Sequence, residues 1–341
     1  MRVPNISLNT LSPSQVPQVS VIIATYNCAP YLAEAIESAL GQDGVNVEVV
    51  VVDDASTDGT LVVARRYEQA GRVRLFVNEV NRGPSFSRNR AISAARGEWV
   101  AQLDGDDWFA PGRLLTLLQL ADARQADLVA DDMFMVEDST LRAVSTPFLN
   151  NGVPWRAAQS VTPLDVIKYD LGSLKPLMRR AFLVEHSLAY EEGLNYGEDF
   201  LLLLKAMLAG ARVTIAPEPM YHLRRGNTGS LTTQRGRLLR QVEDTTKKLM
   251  SDPDISRRPR VVAALGARLN HVRRLAMLED VIRLGKQGHF ASLFAKFFAD
   301  PKLFLALLRR GPEMIAIRVR RRLNRKTLSR AHLPPGAHGL S

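Results

Sequence analysis

Asp104, Asp106 and Asp107 fall within four positions of "EWVAQLDGDDWFAP" (Glu98 to Pro111), directly after a run with the look of a buried strand. Like charges that close repel one another, so something positive is expected beside them. A second acidic strand end, Asp53 and Asp54 in "VEVVVVDDASTDGT", is placed to converge on the same cleft. Oxygen ligands suit a hard divalent cation, Mg²⁺ or Mn²⁺, which keeps positions open for substrate phosphates. The expected chemistry is a metal carrying a diphosphate. Any one of these aspartates taken alone reads equally well as a solvated loop residue or a helix cap, and Asp58 or Thr60 is expected to cap the next helix. Asp54 can instead accept the N3–H of a uracil ring.

The elements that must position these residues alternate. "QVSVIIATYN" reads as a buried strand, and "YLAEAIESALGQ" after Pro30 as a helix with Leu32, Ile36, Ala39 and Leu40 at helical spacing. The order repeats through the Val-rich strand before Asp53, the helical "LVVARRYEQAG", the short strand in "RVRLFVNEVNRG", the helix "SFSRNRAISAARG", the strand "EWVAQLD" and the helix "RLLTLLQLADARQ". Such alternation predicts an α/β fold with a mostly parallel sheet flanked by helices, binding its ligand at the carboxyl ends of the strands. Further on, "DLVADDMFMV" reads as a strand, 140–160 as loop, "GEDFLLLLKAMLAG" as a helix and "ARVTIAPEPMYHL" as a strand broken at its prolines. From about residue 232 the chain turns helical and basic.

"VSVIIATYN", "VVVDDASTDGT", "NRGPSFSRNRAISAARGEWVAQLDGDD" and "GEDF", in this order, resemble the family 2 glycosyltransferases, the inverting, nucleotide-sugar-dependent group with the GT-A fold. The resemblance covers residues 18–232, leaving a polar leader at 1–17 and a helical, basic extension at 233–341. It implies that Ala24, Thr25 and Tyr26 lie along the nucleotide with Asp54 on the uracil, and that Arg88 of "SRN" lies near it too. Asp104 would contact the ribose or the metal-bound diphosphate, and Asp106 would be the main protein ligand of Mn²⁺ or Mg²⁺. Asp199 of "YGEDFLLLL" would be the base that deprotonates the acceptor, its pKa raised by burial beside Phe200 and Glu198. "YHLRRGNTGSLT" resembles the family's mobile loop, with Arg224 or Arg225 on phosphate oxygens and His222 on metal or phosphate. Arg88 reads equally well as a salt bridge on a helix, and Asp199 also as a helix cap. The "QxxRW" pattern of processive synthases is absent, which favours one sugar per encounter.

Charge and composition narrow the partners. The formal charge is +10, and residues 301–341 hold ten Lys/Arg against one acidic residue, a local charge of +9. "DPKLFLALLRRGPEMIAIRVRRRLNRK" mixes apolar residues with arginines as an interfacial helix does, and each basic residue near an anionic leaflet adds about 1 kcal/mol. An ordinary solvated helix is the plainer reading of the same stretch. The apolar runs fall far short of the roughly 20 residues of a spanning helix. The single cysteine, Cys28, forms no intramolecular disulfide, and the N-terminus lacks the pattern of a secretory signal. The expectation is a cytoplasmic protein, peripheral on the inner face of the membrane, with a UDP-sugar donor and a polyprenyl-diphosphate-linked oligosaccharide acceptor. Nucleic acid is not an expected partner, because no aromatic-interleaved basic face is present. Within the family the chain is most similar to succinoglycan-type exopolysaccharide glucosyltransferases, which implies UDP-glucose. A nucleotidyltransferase and a non-catalytic scaffold on a degenerate fold remain as rivals from other classes, alongside transferases with another donor or acceptor.

Overall fold

The computed structural model describes residues 16–194, 197–226 and 235–286. The first half alternates as the sequence predicts: β1 (Val19–Thr25), α1 (Leu32–Leu40), β2 (Val47–Asp53), α2 (Thr60–Gln69), β3 (Arg74–Val77), α3 (Pro84–Ala94) and β4 (Trp99–Asp104). β1 is buried along nearly its whole length, as a strand covered on both faces must be. α1 turns Leu32, Ala35, Ile36 and Ala39 inward at helical spacing.

β5 (Trp108–Phe109), α4 (Arg113–Arg124) and β6 (Leu128–Glu137) follow. The stretch expected to be loop holds β7 (Arg142–Ser145), α5 (Pro147–Asn151) and the start of β8 (Gln159–Val161). Two local signals build it: Thr146 caps α5 by accepting from the Leu149 N–H, and Pro147 occupies the first helical position. Then come α6 (Pro163–Lys168), a 3₁₀ turn (Leu171–Ser173), β9 (Leu177–Arg179), α7 (Arg180–Glu185), α8 (Glu198–Leu208) and β10 (Val213–Arg225). The proline break in the last strand is real, with a register shift between Ala216 and Tyr221.

Among the described residues one sheet runs β3-β2-β1-β4-β9-β6-β10-β5. β3, β2, β1 and β4 are mutually parallel, and β6 is parallel to β10. β9 is wedged antiparallel between β4 and β6, and β5 closes the edge antiparallel to β10. Because β9 runs against β4, with Leu177 opposite Ala101, the chain just before it arrives at the carboxyl end of β4.

α8 docks through Phe200 to Leu204, all buried, each burial contributing about 1.5–3 kcal/mol. α9 (Arg235–Ser251), α10 (Pro253–Ser256) and α11 (Pro259–Lys286) form the described part of the helical extension. Leu249, Ile255, Val261 and Leu265 join the main core, and Arg268 lies over the Phe200 ring while bonding Asp170 and Thr246. No helix among the described residues is long and apolar enough to cross a membrane. The basic stretch at 301–341 lies outside the described residues.

Candidate active site

β1 lies between β2 and β4, so the acidic strand ends meet around its carboxyl end: Thr25 is opposite Asp53 and Ala24 opposite Asp104. Gly105 makes this approach possible, since a Cβ there would stand 2.8 Å from Thr25 Oγ1. Ala24 is half-buried, Thr25 is buried and Tyr26 is exposed at the rim. Asp54 donates its N–H to the Thr25 carbonyl, and its buried carboxylate accepts from Asn78 Nδ2 (2.6 Å) and from the N–H groups of Arg82 (3.0 Å) and Gly83 (2.8 Å). Asp54 thereby ties the loop before α3 to the cleft floor, and about one of its four lone pairs remains for a ligand. Asp58 acts structurally, accepting from the N–H groups of Thr60 and Ala29.

The positive charge that the acidic strand end requires is supplied by the protein itself. Asp104 accepts from Arg88 Nη2 at 2.8 Å and lies 2.9 Å from Lys175 Nζ. Lys175 also donates to Asp199 Oδ2 at 2.7 Å, and Arg88 donates to Glu198 Oε1 at 2.7 Å. Two cations and three carboxylates thus form one buried cluster joining β4, α3, α8 and the segment before β9. Burial works against ionising Asp104, but Lys175 and Arg88 outweigh it and hold the carboxyl well below its usual range. Arg88 and Lys175 are likewise held charged despite burial, by Asp104 and Asp199 in each case. The carboxyl that burial lifts is Glu198's, with Asp199 beside it adding to the rise. Both acids of "GEDF" are thus ion-paired, Glu198 to Arg88 and Asp199 to Lys175. Asp199 Oδ1 is buried without a hydrogen-bond partner.

A second cluster surrounds the rest of "DGDD". Asp107 is buried and accepts from the Tyr221 hydroxyl (2.7 Å) and the Arg224 N–H (2.8 Å). Burial, then Asp106 and Asp104, push its carboxyl up. Arg224 is 5% exposed, and its guanidinium serves the protein: Nε bonds the Asp106 carbonyl, Nη1 Asp138 and Nη2 Glu34, with Tyr31 and Trp108 rings on either hand. The phosphate contact expected of Arg224 meets a side chain already engaged in bracing the acidic loop. Arg225, its alternative, is half-buried. His222 stacks on Trp108 at 4.8 Å with Phe134 beyond it. Burial lowers its pKa to about 4, so it is a neutral imidazole at neutral pH, and its Nδ1 is buried without a partner.

Among the described residues no group of three or more His, Cys, Asp or Glu is arranged to grip a metal. The fit is of another kind. The half-buried Asp106 carboxylate acts as a local negative charge, contributing to the rise of Asp107 and, after burial, to that of the Cys28 thiol, which reaches about 11. One carboxylate of this sort plus substrate phosphates is how Mg²⁺-type ions are usually held, and neutral His222 carries an orphaned, buried Nδ1.

Lys175, Tyr221, Glu34 and Asp138 escaped the sequence reading, and Glu198 entered it only as a neighbour of Asp199. Glu198 lies inside the quoted "GEDF", whereas no periodicity marks Lys175 as facing an acid 71 positions earlier.

The central, mostly parallel sheet flanked by helices is that of the GT-A fold class. The family model "Glycosyl transferase family 2" matches residues 20–183. The chain is 32% identical over 300 residues to the succinoglycan biosynthesis protein ExoU of Rhizobium meliloti (strain 1021), covering 85% of each chain. It is 38% identical over 227 residues to ExoO of the same organism, covering 64% of this chain and 65% of ExoO. The solved structure of S. aureus TarS 1-349 in complex with UDP-GlcNAc matches it with a TM-score of 0.63 over 92% of this chain and 91% of that one, at 24% identity. The chain belongs to glycosyl transferase family 2.

Proposed function

We propose that this chain transfers one sugar, with inversion, from a UDP-sugar to a lipid-linked oligosaccharide in bacterial exopolysaccharide assembly. The acceptor class is a polyprenyl-diphosphate-linked oligosaccharide and the leading donor is UDP-glucose. The observation that carries the reading is the convergence of Asp104, Arg88 and Asp199 at the carboxyl ends of the strands, with Asp199 Oδ1 buried and accepting no hydrogen bond. The relatives named for succinoglycan biosynthesis support the pathway class, and the UDP-GlcNAc complex of TarS supports the nucleotide.

In this reading Ala24, Thr25, Tyr26 and Asp54 receive the nucleoside, while Arg88 and Asp104 fix the ribose and diphosphate. Asp199 takes the acceptor's hydroxyl proton as the new bond to the anomeric carbon forms and the bond to the diphosphate oxygen breaks. Mn²⁺ or Mg²⁺ held by Asp106, with His222 as the second donor, would supply charge stabilisation at the departing diphosphate. Arg224 keeps the acidic loop in place rather than touching the donor. The basic tail would hold the enzyme at an anionic membrane surface, where such acceptors reside.

The test is transfer of label from UDP-glucose, UDP-galactose, UDP-GlcNAc and UDP-glucuronic acid to a bacterial lipid extract, by wild type and Asp199→Asn. A general base contributes about 10²–10⁴-fold, so Asp199→Asn is expected to lose at least about 10²-fold in kcat with UDP affinity unchanged. Wild-type kcat in Asp199→Asn, or no turnover of any UDP-sugar by the wild type, contradicts the proposal. Label from UDP-GlcNAc alone would keep the mechanism and replace the donor.

A further inference from the structure

We propose that Lys175 is a positioning residue of the transfer: by gripping Oδ2 it fixes the orientation of Asp199, the carboxylate that receives the acceptor's proton. The inference rests on the general-base role of Asp199 proposed above and adds a residue that no motif marks.

The side chain of Lys175 is 7% exposed, and its Nζ lies 2.7 Å from Asp199 Oδ2 and 2.9 Å from Asp104 Oδ2. Its backbone is fixed independently of that contact. The Lys175 carbonyl accepts from Arg113 Nη2 at 2.6 Å, and Arg113, fully buried, is locked by Asp131 at 2.6 Å. Three residues earlier, Gly172 lets the 3₁₀ turn press against Phe200 of α8. Lys175 therefore reaches Asp199 from a rigid base.

The two carboxylates depend on it unequally. Asp104 keeps Arg88 Nη2 on Oδ1 at 2.8 Å, with Gln102 Nε2 at 3.3 Å, when Lys175 is taken away. Among the described residues, the hydrogen bond that Asp199 accepts comes from Lys175 alone; Arg88 approaches Oδ1 no closer than 3.8 Å. A cation on the base weakens it as a proton acceptor, so the gain must be geometric. A carboxylate held in one rotamer keeps its reactive oxygen at the attack distance, and a misplacement of about 1 Å costs about 10²-fold.

The experiment compares kcat and donor KM for the full chain and for Lys175→Met, Lys175→Arg, Asp199→Asn and the Lys175→Met/Asp199→Asn double variant, with UDP affinity measured on each. Lys175→Met is expected to lower kcat about 10–100-fold while donor KM and UDP affinity stay within about threefold. Lys175→Arg should restore most of kcat, and Lys175→Met should add nothing to the loss already present in Asp199→Asn. If Lys175→Met folds poorly, Lys175→Gln, which keeps an N–H donor, is read in its place and should show the same split in milder form.

Losses that multiply in the double variant, or a change confined to donor KM, would mean that Lys175 works through Asp104 and the donor, and would overturn the proposal. So would a Lys175→Met with wild-type kcat in an enzyme that Asp199→Asn disables, and that outcome leaves the general base standing. Should Asp199→Asn itself keep wild-type kcat, the base assignment falls and the Lys175 role with it.

Discussion

Three aspartates in one tetrapeptide end in three electrostatic settings. Asp104 is held ionised between Arg88 and Lys175, Asp107 is buried and lifted, and Asp106 stands half-buried as the negative charge that Asp107 and Cys28 register. That something positive must meet the acidic strand end was legible in residue types alone. That it is chiefly arginine and lysine was not, because Arg88 and Lys175 come from 16 positions before and 71 after Asp104. Burial is the largest influence on Asp132 in β6, 2% exposed, whose carboxyl is pushed from 3.8 up to about 6, with the Asp131 charge adding to the rise against hydrogen bonds from Thr146 and Phe148. A group raised on folding contributes its stability below the unfolded value, and loses it as pH climbs through the folded one. Asp132 therefore lowers stability progressively between about pH 4 and pH 6, by about 3 kcal/mol once fully ionised. Asp132→Asn removes that loss: denaturant unfolding should show the variant more stable than wild type at pH 8 and nearly equal to it at pH 4. An equal difference at both pH values would show that burial of this carboxyl is not the cause.

Elements were legible where one periodicity ran long enough. β1 through β4 with their helices follow the predicted alternation because continuous Val/Ile runs leave few alternatives. The antiparallel β9 was hidden, since three residues carry no period, and its effect is topological: it brings Lys175 to the end of β4. The stretch 140–160 hides short elements built from caps and edge pairing rather than from apolar rhythm. Gly172 is where element packing and site geometry meet. A Cβ there would lie 2.2 Å from Phe200 Cδ2 and 2.3 Å from its Cβ, atoms too close to the helix backbone to swing aside. Gly172→Ala must therefore push the turn and α8 apart. We expect a loss of about 1–3 kcal/mol in chemical denaturation, together with a fall in kcat as Lys175 parts from Asp199. Unchanged stability and kcat would mean that the turn and α8 are not in firm contact.

At the scale of the whole molecule, the predicted α/β architecture with acidic residues at the strand carboxyl termini is what forms, and the helical extension begins as part of the same core. Leu249, Ile255, Val261 and Leu265 are buried against it, although the sequence marks a change of character near residue 232. Helical and basic composition shows where a pattern changes; it does not show which face packs. The charge excess at 301–341, on which the proposed membrane attachment rests, lies outside the described residues. The proposed function places a divalent cation at Asp106 beside the nucleotide-sugar. Its most direct test is thermal unfolding of wild type and Asp106→Ala with UDP or UDP-glucose, with and without Mn²⁺. At 100 times its dissociation constant a ligand stabilises the folded state by about 2.7 kcal/mol. A Mn²⁺-dependent rise in the wild type that Asp106→Ala abolishes is expected; no rise with any uridine nucleotide, or an equal rise in Asp106→Ala, would rule this site out.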